Sequence, residues 1–169
     1  DTFDVTFFVP ALNEQNTIIT TLDKIVSVSS RLSITYEIIV VNDGSKDNTK
    51  NLIENYINEH FDISIRAFHN SIRRGLGYNY IDASFHGFGQ YYIMICGDNS
   101  ETEDSIIEIL NNKGKADIII PYFGNRDTRH IARKIISKIF RTIVNLISGN
   151  KIKYYNGTVL HLRENVLRW

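Results

Sequence analysis

The 169-residue chain holds a single cysteine, carries no net charge and lacks any long hydrophobic run. One cysteine, Cys96, excludes an internal disulfide framework and the usual zinc cages, and it favours a reducing, cytoplasmic setting. No apolar run reaches the ~18–20 residues that a membrane span needs, and nothing at the amino terminus has the pattern of a secretory signal. Internal repeats, low-complexity tracts and linkers are also missing. The chain opens at Asp1 without a Met and stops at Trp169, just after a strand-like run. The expectation is one domain over residues 1–169, cut short at its C-terminus, where a membrane segment could follow.

What is present fits a folded domain. The hydrophobic fraction is 43%, and the length suffices for one real core. The zero charge hides an asymmetry. Nine Lys/Arg stand against seventeen Asp/Glu in residues 1–122, and ten against two in residues 123–169. A basic C-terminal segment fits a phosphate-bearing or membrane-surface partner, or a solvated basic helix face.

Strand-like and helix-like segments alternate. Strands are predicted at Val5–Val9, Tyr36–Val41, Ile63–Phe68, Tyr91–Ile95 and Ala116–Ile120. Helices are predicted at Asn16–Ser29, from the Ser45-Lys46-Asp47 caps to about His60, at Gly75–Phe88, Glu103–Asn111 and His130–Ile147. This order predicts an α/β fold with a mostly parallel central sheet flanked by helices, a Rossmann-like layout. Ligands bind such sheets at the carboxyl ends of the strands. The polar stretches to read are therefore Pro10 to Glu14, Asn42 to Ser45, Asn70 to Gly75 and Gly97 to Glu101.

In the first, Pro10 fixes the backbone, and Asn13 and Glu14 can cap a helix. Glu14 can also accept a hydrogen bond from a base or ribose. In the second, Asp43 can accept an imide N–H or a ribose hydroxyl, and Gly44 permits a turn with positive φ. Ser45 and Asp47 read equally well as ordinary helix caps. In the last, Asp98 ends a buried strand in a carboxylate, placed to hold Mg²⁺ or Mn²⁺ against a diphosphate. Each stretch alone also reads as a plain loop; their order and spacing together carry the argument.

The ordered set resembles the family 2 glycosyltransferases of GT-A fold. Pro10-Ala11-Leu12-Asn13-Glu14 is similar to the family's "P-x-Y-N-E" element, and Val41 to Thr49 to "V-D-D-G-S-x-D-x-T". Arg74-Gly75-Leu76-Gly77 is similar to the "K/R-G-L-G" turn, and Cys96-Gly97-Asp98 sits where "D-x-D" is expected. Ala116-Asp117-Ile118-Ile119-Ile120 and Arg133-Lys134-Ile135-Ile136-Ser137 resemble segments of the dolichyl- or polyprenyl-phosphate sugar synthases. The resemblance implies that Pro10, Leu12, Glu14, Val41, Asp43 and Gly75 form the nucleotide pocket. It implies Asp98 and Ser100 as metal positions, with Mg²⁺ or Mn²⁺ as cofactor. Arg133 and Ser137 would bind a lipid phosphate, with Arg126 or Arg129 near the place of an acceptor-binding Arg that Phe123 occupies. Asp98, Arg133 and Arg126 would then carry the reaction. Cys96 replaces the first Asp of the metal element, Asn42 the first Asp of its pair, and Ser100 a frequent Gln.

The last predicted helix has two apolar rows. Ile131, Ile135, Ile139, Ile143 and Ile147 recur every four residues, beside Ala132, Ile136, Phe140 and Val144. Arg133, Ser137 and Arg141 share the opposite face and suit a phosphate. Lys134 and Lys138 flank them, so the helix could rest on anionic lipid. The plain alternative is a core helix with a basic outer face.

The expected function is inverting transfer of a sugar from a UDP- or GDP-linked donor to a polyprenyl or dolichyl phosphate, at the cytoplasmic face of a membrane. A saccharide acceptor would need a base, and Glu101, Glu103 and Asp104 are nearest. A non-catalytic nucleotide-sugar-binding domain is the second rival, supported by Cys96. A nicotinamide-binding domain fails because no G-x-G-x-x-G follows the first strand. A nucleotidyltransferase fares no better, since a Gly-rich basic loop is absent there. Nucleic acid is not an expected partner.

Overall fold

The computed structural model describes residues 3–122, 130–155 and 157–168, the side chain of Arg133 excepted. Strands β1 (Val5–Ala11), β2 (Tyr36–Asn42), β3 (Ile65–His69), β4 (Tyr91–Met94), β5 (Ile118–Ile119) and β6 (Leu160–Leu162) form one sheet. Their order is β3-β2-β1-β4-β6-β5. The four on the β3 side run parallel, with Val5 beside both Tyr36 and Tyr91. Strand β6 is antiparallel to β4 and β5.

Helices α1 (Ile18–Leu32), α2 (Thr49–Glu59), α3 (Leu76–His86) and α4 (Glu103–Leu110) connect the strands. A short α6 (Arg163–Val166) follows β6. Because β1 lies mid-sheet, its Val-Thr-Phe-Phe-Val run is buried on both faces, as a parallel strand requires. Phe7, Val9, Ile38 and Val40 pack with Ile18, Leu22, Ile25 and Ile53 on one face. Phe8, Ile39, Val41 and Tyr92 pack with Ala83 and Val166 on the other.

The amino-terminal edge of the sheet is pinned by a buried carboxylate. Glu37 accepts from Thr6 Oγ1 at 2.7 Å, from Arg66 at 2.6 Å and from the backbone N–H of Phe88 and Gly89. A buried charge is tolerable only when paired and hydrogen-bonded in this way.

The predicted core elements all appear, with ends shifted by a few residues. The fifth strand shrinks from Ala116–Ile120 to Ile118–Ile119. The described residues group into two compact units. One holds β1 to β6 with α1–α4 and α6; the other lies within Ile120–Val159 and is built on α5 (Ile131–Ser148).

Candidate functional site

Parallel pairing brings the carboxyl ends of β1, β2, β3 and β4 to one edge. The loops after β1 and β2 are latched there. Asn13 N–H donates to Ser45 Oγ at 2.9 Å, and Lys46 N–H returns to Asn13 Oδ1 at 2.8 Å. Gln15 N–H reaches Asp47 Oδ2, and Asn48 N–H reaches Gln15 Oε1. Glu14 N–H donates to Thr49 Oγ1 at 2.8 Å. Asn13 holds φ 58°, a left-handed conformation that Asn tolerates better than most residues. The Glu14 carbonyl accepts from Thr17 and Ile18, and Glu14 Oε2 accepts from Thr17 Oγ1 at 2.9 Å, but the residue that precedes α1 is Thr17, so neither Asn13 nor Glu14 is the cap that the sequence suggested. Asp47 Oδ1 accepts Thr49 N–H at the start of α2.

Asp43 organises the third loop. Its Oδ1 accepts Asn70 Nδ2 at 2.8 Å and Arg74 N–H at 2.8 Å, and its Oδ2 accepts Gly75 N–H at 2.9 Å. Burial alone would raise this carboxyl; the Arg74 N–H, the Asn79 and Asn70 amides and the Gly75 N–H outweigh it and hold it at about 2. Asp43 is therefore a fixed anion at the start of α3, favoured there by the helix dipole. Gly44 has φ 77°, and an added Cβ would stand 3.1 Å from Arg73 N and from Ile72 C. The positive φ favours glycine, and an added Cβ would need the Arg73 backbone to give by a few tenths of an ångström.

Asn42 turns into the fold. Its Oδ1 accepts Ser45 N–H at 3.1 Å, while its Nδ2 faces His69 Nδ1 at 3.2 Å. Burial lowers the His69 pKa against the opposing pull of Glu54, which favours a neutral ring able to accept. An ionised Asp could not donate here, so the departure at Asn42 matches its neighbour.

After β4 the chain enters the Cys96–Glu101 loop. Thr21 Oγ1 donates to the Gly97 carbonyl at 3.2 Å, and Lys24 Nζ donates to the Glu101 carbonyl. Asp98 is exposed, with Oδ1 accepting Ser100 N–H at 3.1 Å. Ser100 Oγ donates to Glu101 Oε2 at 2.9 Å. Asn99, at φ 60°, buries an Oδ1 that has no hydrogen-bond partner among the described residues. Burial, with Glu101, Asp98 and Glu14 nearby, pushes the Cys96 thiol up to about 11. Without a metal beside it, the thiol stays protonated near neutral pH. No cluster of three or more His, Cys, Asp or Glu suited to a metal occurs among the described residues. The oxygen-rich Asp98 loop nonetheless fits Mg²⁺ or Mn²⁺, which take one or two protein carboxylates and fill the remaining positions with phosphate and water.

A cleft of about 170 Å³ opens at this edge, lined by Pro10, Leu12, Glu14, Asp43, Asp98 and their neighbours. Four of the six expected nucleotide residues thus meet in one place. Val41 does not join them; it is buried against Phe8 and Tyr92. Gly75 stands just outside the lining, at φ 92°, giving its N–H to Asp43. Arg73, Leu76 and Asn79 line the cleft and were not anticipated. Arg73 could have been found as the cation beside the Arg74 turn. Arg74 itself stacks its guanidinium 3.7 Å over Tyr78. Among the acidic residues further on, Glu103 is bound to Arg31 at 2.9 Å.

In the second unit α5 carries Ser137, half-buried. Arg126, Arg129, Phe123 and the Arg133 side chain lie outside the described residues. Arg141 donates to the Lys153 carbonyl at 3.1 Å, and Asn145 binds both the N–H and the carbonyl of Ile152. The isoleucine row is exposed: Ile131 at 72%, Ile135 at 54% and Ile147 at 81%. Among the described residues of this chain, the row is not part of a buried core.

A mostly parallel sheet with a cleft across its strand ends, and a fixed carboxylate at one helix start, is the layout in which open α/β folds bind ligands. The glycosyl transferase family 2 profile matches residues 6–168, and the chain belongs to that family. It is 36% identical over 109 residues to a dolichyl-phosphate beta-glucosyltransferase of Trichomonas vaginalis, covering 62% of this chain and 32% of that protein. A dolichyl-phosphate beta-glucosyltransferase of Dictyostelium discoideum is 32% identical over 105 residues, covering 59% and 32%. The chain thus spans about a third of the length of these curated relatives. The fold is that of a Pyrobaculum calidifontis mannosyltransferase solved with GDP-Man and Mn²⁺, at TM-score 0.70 and 18% identity, covering 99% of this chain and 47% of that one. The GT-A architecture expected from the sequence is therefore present.

Proposed function

We propose that this chain binds the donor in an inverting glycosyltransferase that moves a sugar from a UDP- or GDP-linked donor to a polyprenyl or dolichyl phosphate. The observation that carries the reading is the cleft itself, where Pro10, Leu12, Glu14, Asp43 and Asp98 converge from three strand ends. Similarity to dolichyl-phosphate glucosyltransferases supports a lipid phosphate acceptor.

Asp43 and Glu14 hold the nucleoside end by accepting its N–H and O–H groups. Arg73 offers the cleft a cation for the diphosphate. Asp98 and Ser100 would hold Mg²⁺ or Mn²⁺, which when bound offsets the charge of the leaving diphosphate. An acceptor phosphate is already ionised at neutral pH and needs positioning more than a base. Arg133, Ser137 and Arg126 are the residues proposed for that positioning.

The acceptor would be presented at a membrane surface on the cytoplasmic side. No helix among the described residues is long and apolar enough to cross a membrane. Helix α5 instead exposes an apolar row, including Ile147 at 81%, on a segment rich in Lys and Arg. Such a helix can lie in the interface plane. The test is transfer of labelled sugar from UDP- and GDP-sugars to dolichyl phosphate by the full-length protein in membranes. A chloroform-soluble glycolipid lost in Asp98→Ala supports the reading; transfer to a soluble saccharide alone overturns the lipid acceptor.

A further inference from the structure

Asn79 sits one turn into α3, 2% exposed, in the wall of the cleft. Its amide orientation is fixed by a chain of bonds. Asp43 is ionised and can only accept, so the Asn70 group facing it must be the donor Nδ2. The second hydrogen of that Nδ2 goes to Asn79 Oδ1 at 2.9 Å. Turning the Asn79 amide over would set two donors against each other. Asn79 Nδ2 is therefore the end turned to Asp43, and it carries two hydrogens. It lies near enough to Asp43 to help hold that carboxyl ionised, yet it makes no hydrogen bond of ordinary geometry among the described residues.

A buried amide hydrogen left without a well-placed acceptor costs on the order of 1–3 kcal/mol. Such a group at a cleft wall points to a ligand atom that completes it. The ligand atom must be an acceptor, because Nδ2 only donates. It must also be uncharged, because the Asp43 carboxylate alongside repels phosphate. Next to it, Asp43 Oδ2 accepts one bond from Gly75 and has capacity for another. The wall thus presents a donor beside an acceptor. Uracil and guanine each carry a ring N–H next to a carbonyl, which is the complementary pair.

We infer that Asn79 reads the base of the donor nucleotide, its Nδ2 donating to a base carbonyl while Asp43 Oδ2 accepts the adjoining ring N–H. The inference rests on the cleft being the nucleotide site. It adds a base contact from a residue outside the short elements that carry the resemblance.

The experiment follows the Asn79 side-chain amide by ¹⁵N NMR in the intact protein. UDP, GDP and ribose 5-phosphate are added separately, with Mn²⁺ replaced by Mg²⁺ to avoid broadening. A downfield shift with UDP or GDP, and none with ribose 5-phosphate, is the expected result. Calorimetry with Asn79→Ala should show affinity for that nucleotide falling about tenfold, the loss of one hydrogen bond, with ribose 5-phosphate binding unchanged. An equal shift with ribose 5-phosphate assigns the contact to the sugar and overturns the inference. Nucleotide binding that leaves the amide unmoved overturns it too, while the nucleotide site itself stands. Binding of neither nucleotide by the unaltered protein removes the nucleotide-site reading and this inference with it. The amide shift needs no variant, so misfolding of Asn79→Ala leaves the inference open to refutation.

Discussion

The backbone nitrogen of Glu14 donates to the hydroxyl of Thr49, 2.8 Å away, joining the loop after β1 to the start of α2. The same hydroxyl donates to Asp47 Oδ1 at 2.5 Å. One buried Thr therefore couples two elements that lie 35 residues apart. Thr49→Val keeps the shape and removes both bonds. It should destabilise the fold by about 1–3 kcal/mol, read as a lower urea midpoint with an unchanged slope.

Asp43 gives a pH dependence. Its carboxyl is held down at about 2, below its ordinary value of 3.8. A depressed acid contributes stability that is present above the unfolded pKa and lost as pH falls through the folded one. The loss should therefore fall between about pH 4 and pH 2. It should amount to at most about 2.4 kcal/mol, less after solvent screening. Asp43→Asn should flatten this flank in thermal melts while lowering stability at pH 7. An unchanged flank would remove Asp43 from the account.

Cys96 offers a gain-of-function test. Cys96→Asp would add a carboxylate near Glu14, Asp98 and Glu101. Without metal it should lower the melting temperature, by like-charge repulsion. Mn²⁺ should raise the melting temperature of the variant more than that of the unaltered protein. In the unaltered protein the raised thiol pKa predicts slow alkylation by iodoacetamide at pH 8, checked by mass spectrometry.

The α5 surface predicts lipid binding without a stability cost. Ile135 and Ile139 are 54% and 55% exposed. Ile135→Glu with Ile139→Glu should leave the melting temperature within a degree or two and sharply reduce co-sedimentation with anionic vesicles. Equal sedimentation would take the helix off the membrane.

The sequence made the parallel half of the fold legible because β1, β2 and β4 are long or apolar runs closed by polar loops. Strand β6, only Leu160–Leu162, has too few residues to show a period, and α6 is a single turn. Val41 was expected in the pocket, but side chains alternate along β2 and Val41 faces the core under α3. The isoleucine spacing of α5 fixes which residues share a face; it does not say whether protein or solvent lies against it. Asn79 had a signal, a polar residue among the apolar positions Tyr80 and Ala83 of α3. Its meaning depends on Asn70 and Asp43, which only the fold brings together.

Binding of UDP- and GDP-sugars by calorimetry, with and without Mn²⁺, decides whether this cleft is the donor site. Binding of one donor class should strengthen with Mn²⁺, be lost in Asp43→Ala and lose its metal dependence in Asp98→Ala. No binding of either donor, or binding indifferent to both substitutions, would contradict the assignment of this cleft as the donor site.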